Sequence, residues 1–177
     1  AVVLVVLIIA AVMAVGSGLL GTSIAMLGDM TDSISLYLNR AGAGWPANTG
    51  IRTPTQVEPL AGGFVEMDNE DVAVYSAYGA KIRTIQPGYA RPALAVGNTR
   101  FVLYNRAGKE LTVQSRTRQL YAKSFNNAIM LCEMAQNGTL AVVTESDRYA
   151  AEVMVYDASF SGDPFTWKLT STDGTPI

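Results

Sequence analysis

Two patterns of hydrophobic and polar positions divide the chain. Residues 1–27 carry no charged side chain, and the first charge is Asp29. Val2 to Ile9 is an unbroken apolar run, continued by Val12, Met13, Val15, Leu19 and Leu20. A bilayer core about 30 Å thick is crossed by roughly 20 apolar residues in a helix. The run therefore predicts a transmembrane helix over residues 1–27. From residue 60 the pattern changes to short apolar runs, rich in β-branched and aromatic residues and separated by turn residues, which predicts strands.

The expected strands are Phe64–Met67, Val72–Tyr75, Ile82–Ile85, Ala93–Val96, Arg100–Tyr104 and Leu111–Val113, then Leu120–Ala122, Ile129–Met134, Leu140–Thr144, Glu152–Tyr156 and Phe165–Leu169. Turns are expected at Asp68–Asp71, Gly79, Gly97-Asn98, Arg106–Gly108 and Asn137-Gly138. The last is a strong hairpin signal, because both residues tolerate positive φ. Three hairpins resemble one another: Val72–Tyr75 with Gly79, Phe101–Tyr104 with Gly108, and Val153–Tyr156 with Gly162. A repeated antiparallel unit marks a propeller or related β array. The spacing of the three is uneven, roughly 30 and then 50 residues, which reads as a degenerate repeat. With about 40 residues per four-stranded blade, residues 60–177 supply about three blades, and a closed ring needs at least four. The expected fold class is mainly β: an N-terminal transmembrane helix followed by an incomplete β-propeller-like array of antiparallel blades. Thr172-Asp173-Gly174-Thr175 resembles a turn into a further strand, and Ala1 starts inside the apolar run without a methionine. Both features fit a fragment of a longer reading frame.

Residues 28–59 separate the two regions. Asp29–Leu38 reads as a juxtamembrane helix with Met30, Ile34, Tyr37 and Leu38 on one face and Asp32, Ser33 and Ser35 off it. Gly42, Gly44 and Pro46 stop it, and an irregular or extended spacer is expected from Ala41 to Pro59. Trp45 fits either the bilayer surface or the underside of the domain. Within the apolar run, Ala10, Ala14, Gly18 and Thr22 recur every four residues. That stripe suits close packing of a second membrane helix, and is also what ordinary membrane-helix composition produces. A cleaved signal peptide is the alternative to an anchor, with small-residue cleavage sites at Gly16-Ser17-Gly18 or Gly21-Thr22-Ser23. Either way the domain is exported. The acidic Asp29 and Asp32 just after the run agree with that orientation.

Composition narrows the chemistry. The 177 residues carry a formal charge of −2, one cysteine and no histidine. An intrachain disulfide is impossible, and the commonest general base and metal ligand is missing. Cys132, within Ile129-Met130-Leu131-Cys132, reads as a small core residue. Gly16-Ser17-Gly18-Leu19-Leu20-Gly21 matches a dinucleotide fingerprint literally, but not in the strand–turn–helix setting that motif requires. Glu66, Asp68, Glu70 and Asp71 crowd one turn, where a solvated hairpin is favoured over a calcium loop. Asn137-Gly138-Thr139 is formally a glycosylation sequon, but a tight turn explains the same residues more simply. No catalytic, cofactor-binding or metal-binding residue is assigned.

Charge is unevenly distributed. Lys81, Arg83, Arg91, Arg100, Arg106, Lys109, Arg116, Arg118 and Lys123 share their stretch with a single acid, Glu110. One reading is a basic face toward anionic lipid headgroups or an anionic cell-envelope polymer. The other is that strand alternation scatters these residues over both sides of a sheet, where they pair with neighbouring acids.

The apolar N-terminal helix, the Gly44-Trp45-Pro46 spacer, and Arg91-Pro92-Ala93-Leu94 ahead of Arg100–Gly108 together resemble a bacterial family of membrane-anchored, propeller-like proteins of unknown function. Gly138–Thr144 and Val153–Asp157 resemble its next blade. The resemblance implies a quinoprotein-like or WD-repeat-like propeller, here cut short, and brings no catalytic residues with it. The function expected is a membrane-tethered, extracytoplasmic interaction scaffold or sensor without catalysis and without a cofactor. It would be held in the cell membrane by residues 1–27, with a protein or an envelope polymer as partner and no nucleic acid. The alternatives are a pilin-like surface subunit, against which the lack of an acid before Asp29 counts, and an exported propeller enzyme.

Overall fold

The computed structural model of the protein describes residues 27–34, 42, 44–51 and 53–170. Residues 27–34 are helical. The remainder is built on strands β1 (Gln56–Leu60), β2 (Gly63–Met67), β3 (Val72–Ser76), β4 (Lys81–Ile85), β5 (Pro92–Val96), β6 (Arg100–Asn105), β7 (Glu110–Ser115), β8 (Gln119–Ser124), β9 (Ile129–Met134), β10 (Leu140–Thr144), β11 (Ala151–Tyr156) and β12 (Phe165–Leu169). They form three four-stranded antiparallel sheets, β1-β2-β3-β4, β5-β6-β7-β8 and β9-β10-β11-β12, each a simple meander. The first strands gather on the inside, with β5 touching β1 on one side and β9 on the other.

The sheets stack face to face, and two apolar layers hold them together. Val65, Met67, Val72 and Val74 of the first sheet pack on Leu94, Phe101 and Leu103 of the second. Val102, Tyr104, Leu111 and Val113, on the other face of the second sheet, pack on Cys132, Met134, Leu140 and Val142 of the third. The second sheet is thus covered on both faces. That is why its β6 strand, Phe101-Val102-Leu103-Tyr104, reads as a continuous apolar run rather than an alternating one. Each of these four side chains is at most 3% exposed, so the full hydrophobic benefit of burial is realised on both sides of one strand.

The first strands begin at residues 56, 92 and 129, which gives a repeat of about 36 residues and not an uneven one. The hairpin comparison in the sequence misaligned one member. Val72–Tyr75 and Val153–Tyr156 both lie in third strands, whereas Phe101–Tyr104 lies in a second strand. The third-strand counterpart in the second sheet is Leu111–Gln114. A bulge after Val74 in the first sheet recurs after Val113 in the second, and fixes that alignment.

One strand lies where a spacer was expected. β1 occupies Gln56–Leu60, four residues of which fall before residue 60. Its Pro59 is tolerated because β1 is an edge strand, and Pro92 opens the edge strand β5 for the same reason. The Asn137-Gly138 turn does join β9 to β10, but only Gly138 uses positive φ (85°). Asn137 accepts a hydrogen bond from Thr139 N instead (3.0 Å).

Among the described residues, no helix is long and apolar enough to cross a membrane. The expected transmembrane helix over 1–27, its small-residue stripe, the glycine motif of residues 16–21 and the alternative cleavage sites lie outside the described residues, Leu27 excepted. So do Tyr37, Leu38 and the turn of residues 172–175.

Candidate functional site

At the end of the sheets where β6 starts and β7 finishes, two arginines rise from the packed interior. Arg100 opens β6 and is 4% exposed; Arg116 follows β7 and is 3% exposed. Both meet the helical segment 27–34. Arg100 Nε donates to Asp29 Oδ2 at 2.7 Å, and Thr99 Oγ1 donates to the same oxygen at 2.8 Å. Arg100 Nη1 also donates to the Ala158 carbonyl, next to the third sheet. Arg116 Nη2 donates to Ser33 Oγ at 2.6 Å, and its Nη1 donates to the Ala61 carbonyl in the β1–β2 turn. Thr117 Oγ1 completes the set with Asp32 Oδ2 at 2.8 Å. Burial lowers the Arg116 pKa, while Asp32 and Asp29 oppose that shift. The eight-residue segment is therefore tied to one end of the second sheet, in part by charge-assisted hydrogen bonds, the stronger kind, and the same two arginines reach on to loops of the first and third sheets.

The apolar side of this segment is turned away from the sheets. Met30 and Ile34, expected on one face, are 55% and 49% exposed, in line with Leu27 at 56%. Asp29, Asp32 and Ser33 face the protein. The cause is the receiving surface: two arginines with little access to water need acceptors, and only the polar side of the segment supplies them. An ordinary surface helix does the opposite.

The spacer packs under the domain, which resolves the two settings open for Trp45. Its ring lies 5.4 Å from Phe64, and Phe64 stacks on Tyr75 at 5.2 Å. Trp45 Nε1 donates to the Ala77 carbonyl (3.0 Å), and the Tyr75 hydroxyl donates to that of Thr49 (2.6 Å). These contacts cover the face of the first sheet that points away from the second.

The other residues singled out in the sequence fall into plain structural roles. Asp68 Oδ1 accepts from Glu70 N (2.8 Å) and Asp71 N (2.7 Å), which lowers its pKa and commits it to the turn. Among the described residues, no three of His, Cys, Asp and Glu come together as metal ligands. Cys132 packs in the layer between the second and third sheets, where burial pushes its thiol up to about 12. The nine cations do not share one face. Arg100 and Arg116 are buried at one end, Arg83 is half-buried and donates to Gln114 Oε1 (3.2 Å), and Lys81 and Lys123 lie over the rings of Tyr75 and Tyr156. Arg91, Arg106 and Lys109 are exposed beside the β6–β7 turn, at the opposite end from Arg100.

Two clefts adjoin these features. One of about 230 Å³ lies between the helical segment and the first sheet, lined by Ser33, Gly62, Tyr78 and Arg116. The other, of about 400 Å³, lies between the second and third sheets, lined by Lys123, Asn127, Glu152 and Tyr156. Both groups lie above their ordinary values, for different reasons. For Lys123, burial works against the rise, and the contacts with Tyr156 and Tyr121 together outweigh it. For Tyr156, burial is the leading cause and the contact with Lys123 opposes it.

Stacked four-stranded meanders with their first strands on the inside define a β-propeller-like array. The chain belongs to DUF5711, a family of unknown function, whose sequence model matches residues 47–177. Among solved structures, it is similar to BamB from Moraxella catarrhalis (14% identity, TM-score 0.50), over 68% of this chain and 36% of that one. It is also similar to a protein described as exported, from Bacteroides fragilis NCTC 9343 (18% identity, TM-score 0.45), over 72% of this chain and 40% of that one. The chain thus spans well under half the length of either. None of the curated proteins compared with it matches.

Proposed function

We propose that the chain is part of a membrane-tethered, extracytoplasmic scaffold or sensor that binds a partner and performs no catalysis. The observation that carries this reading is the inverted helical segment. Its polar side is fixed to the sheets, and Leu27, Met30 and Ile34 point outward along one line. An outward apolar stripe continuous with the uncharged run of residues 1–27 suits the headgroup boundary of a bilayer. The segment would then set the angle at which the array stands on the membrane. Two buried arginines serve this attachment, which supports a structural use of the domain's most enclosed charges.

Membrane fractionation with a labelled cysteine tests the proposal. Gly162 has open space around its Cβ position, and Cys132 is buried, so Gly162→Cys supplies one reactive thiol. The protein should stay in alkali-washed membranes, and an impermeant maleimide should label it in intact cells. Recovery in the soluble fraction, or labelling only after lysis, would overturn the reading.

A further inference from the structure

The third sheet has an outer face, on which Trp167 is 63% exposed, and an inner face packed on the second sheet. The inner face is apolar along the pairs Leu140↔Tyr156 and Val142↔Met154. It turns polar at the next pair in line, Thr144↔Glu152. The cleft of about 400 Å³ opens there.

We infer that this cleft binds a sugar acid, a hydroxylated six-membered ring carrying one carboxylate, of the hexuronic-acid class. The first argument compares the two interfaces between sheets. Val96↔Phe101 in the second sheet corresponds to Met134↔Leu140 in the third, so Leu103↔Thr112 corresponds to Val142↔Met154. Beside Thr112 stands Tyr89, which packs on the first apolar layer and reaches the Thr112 side chain through its hydroxyl. Tyr89 lies in the connection 86–91, and the corresponding connection, 125–128, is shorter. The shorter one holds Phe125 at the wall and leaves the space beside Met154 open. A six-membered ring is therefore a shape that the first interface already accommodates at this position.

The second argument is the chemistry of the lining. Ile85, beside Val72, borders the first interface where Lys123, beside Leu111, borders the second. An apolar side chain is thus exchanged for an ammonium, whose Nζ lies 5.2 Å from the centre of the Tyr156 ring. On the facing wall Tyr156 and Glu152 are separated by about 13 Å along β11. The ammonium therefore sits toward one end of the cleft and the Glu152 carboxylate toward the other. In the second sheet the equivalent acid, Glu110, accepts from Asn105 Nδ2 at 3.2 Å. Among the described residues, neither the Glu152 nor the Thr144 side chain has a hydrogen-bond partner. An ionised carboxylate only accepts, so Glu152 favours hydroxyl donors and repels a second anionic group. A phenol brings one hydroxyl to Glu152, Thr144 and Asn127 together, whereas a sugar ring brings a row of them. The sugar's flat apolar face suits Met154 and the aromatic wall. Its carboxylate suits Lys123. The inference does not depend on membrane tethering.

Nuclear magnetic resonance of residues 1–177, labelled with carbon-13 methyl methionine in a zwitterionic detergent free of sugar, tests the site. The Met154 methyl signal, assigned with Met154→Leu, should shift saturably as glucuronate is added. The Met67 signal, from the first apolar layer, should stay in place. Glucose and para-hydroxybenzoate should each bind at least about tenfold more weakly than glucuronate. Lys123→Leu should bring glucuronate down to the level of glucose, with an unmoved Met67 signal showing that the fold is intact. The inference would be overturned by no saturable shift with glucuronate, by glucose or para-hydroxybenzoate binding as tightly, or by a preference for glucuronate that survives Lys123→Leu.

Discussion

Arg100 and Asp29 are separated by 71 positions in sequence, yet the Arg100 Nε and Asp29 Oδ2 atoms are 2.7 Å apart. The arginine side chain is 5% exposed and the aspartate 16%. A charge held so far from water depends on its partner, and removing either one leaves the other uncompensated. Arg100→Met is expected to lower the unfolding free energy by about 3 kcal/mol. Asp29→Asn, which keeps an acceptor oxygen for Thr99, should lower it by about 1–2 kcal/mol. A double-mutant cycle in urea should give a coupling of about 1 kcal/mol or more. Additive effects would show that the pair contributes nothing beyond its separate contacts.

The outward stripe separates stability from membrane contact. Leu27, Met30 and Ile34 are about half exposed, so changing all three to Ser should alter the urea midpoint very little, within about 0.5 kcal/mol for each. Binding of residues 27–177 to neutral phospholipid vesicles should fall at least about tenfold. Unchanged vesicle binding would remove the stripe from any role at the bilayer.

Gly63 opens β2 and pairs with Ser76 at the end of β3, where a Cβ would lie 1.8 Å from the Tyr75 carbonyl oxygen. The obstacle is backbone and cannot swing aside. Gly63→Ala should destabilise the protein by about 3 kcal/mol, whereas Gly162→Ala, in open space, should be neutral to within about 0.5 kcal/mol. Thermal unfolding of the two variants side by side reads the difference directly.

Cys132 gives stability a defined alkaline limit. Its thiol is raised from 9.0 to about 12 in the folded protein. Below pH 9 both folded and unfolded chains hold the proton, and the contribution is complete. Between pH 9 and about 12 the unfolded chain releases its proton while the folded chain keeps it, so stability falls as pH rises. The slope due to this group is on the order of 1.4 kcal/mol per pH unit. Cys132→Ala should flatten that slope in alkaline urea titrations, and a slope that survives the substitution would assign the effect to other groups.

Much of the β architecture was legible because burial leaves its mark on composition. Strands such as Val72–Tyr75 and Phe101–Tyr104 are apolar on both sides because both faces are covered. β1 was missed because Gln56-Val57-Glu58-Pro59-Leu60 alternates polar residues and contains a proline, which only its edge position allows. The repeat length was hidden because Phe101–Tyr104 resembles a third strand while serving as a second. The arginine clamp was less visible still. Arg100 standing directly ahead of an apolar strand was a usable signal, but its partner Asp29 lies in another part of the chain. The docking of the helical segment was hidden for the same reason: periodicity shows which side of a helix is apolar, not what the opposing surface demands.

The tryptophan plug on the first sheet gives the array a direction. Repeating units that join front to back, with both ends free, can add without limit and grow into filaments. Here the starting end is stoppered by Trp45 on Phe64, while the Trp167 side stays open. Prying that ring away, as Trp45→Ala would do, should convert a terminated stack into one able to polymerise head to tail.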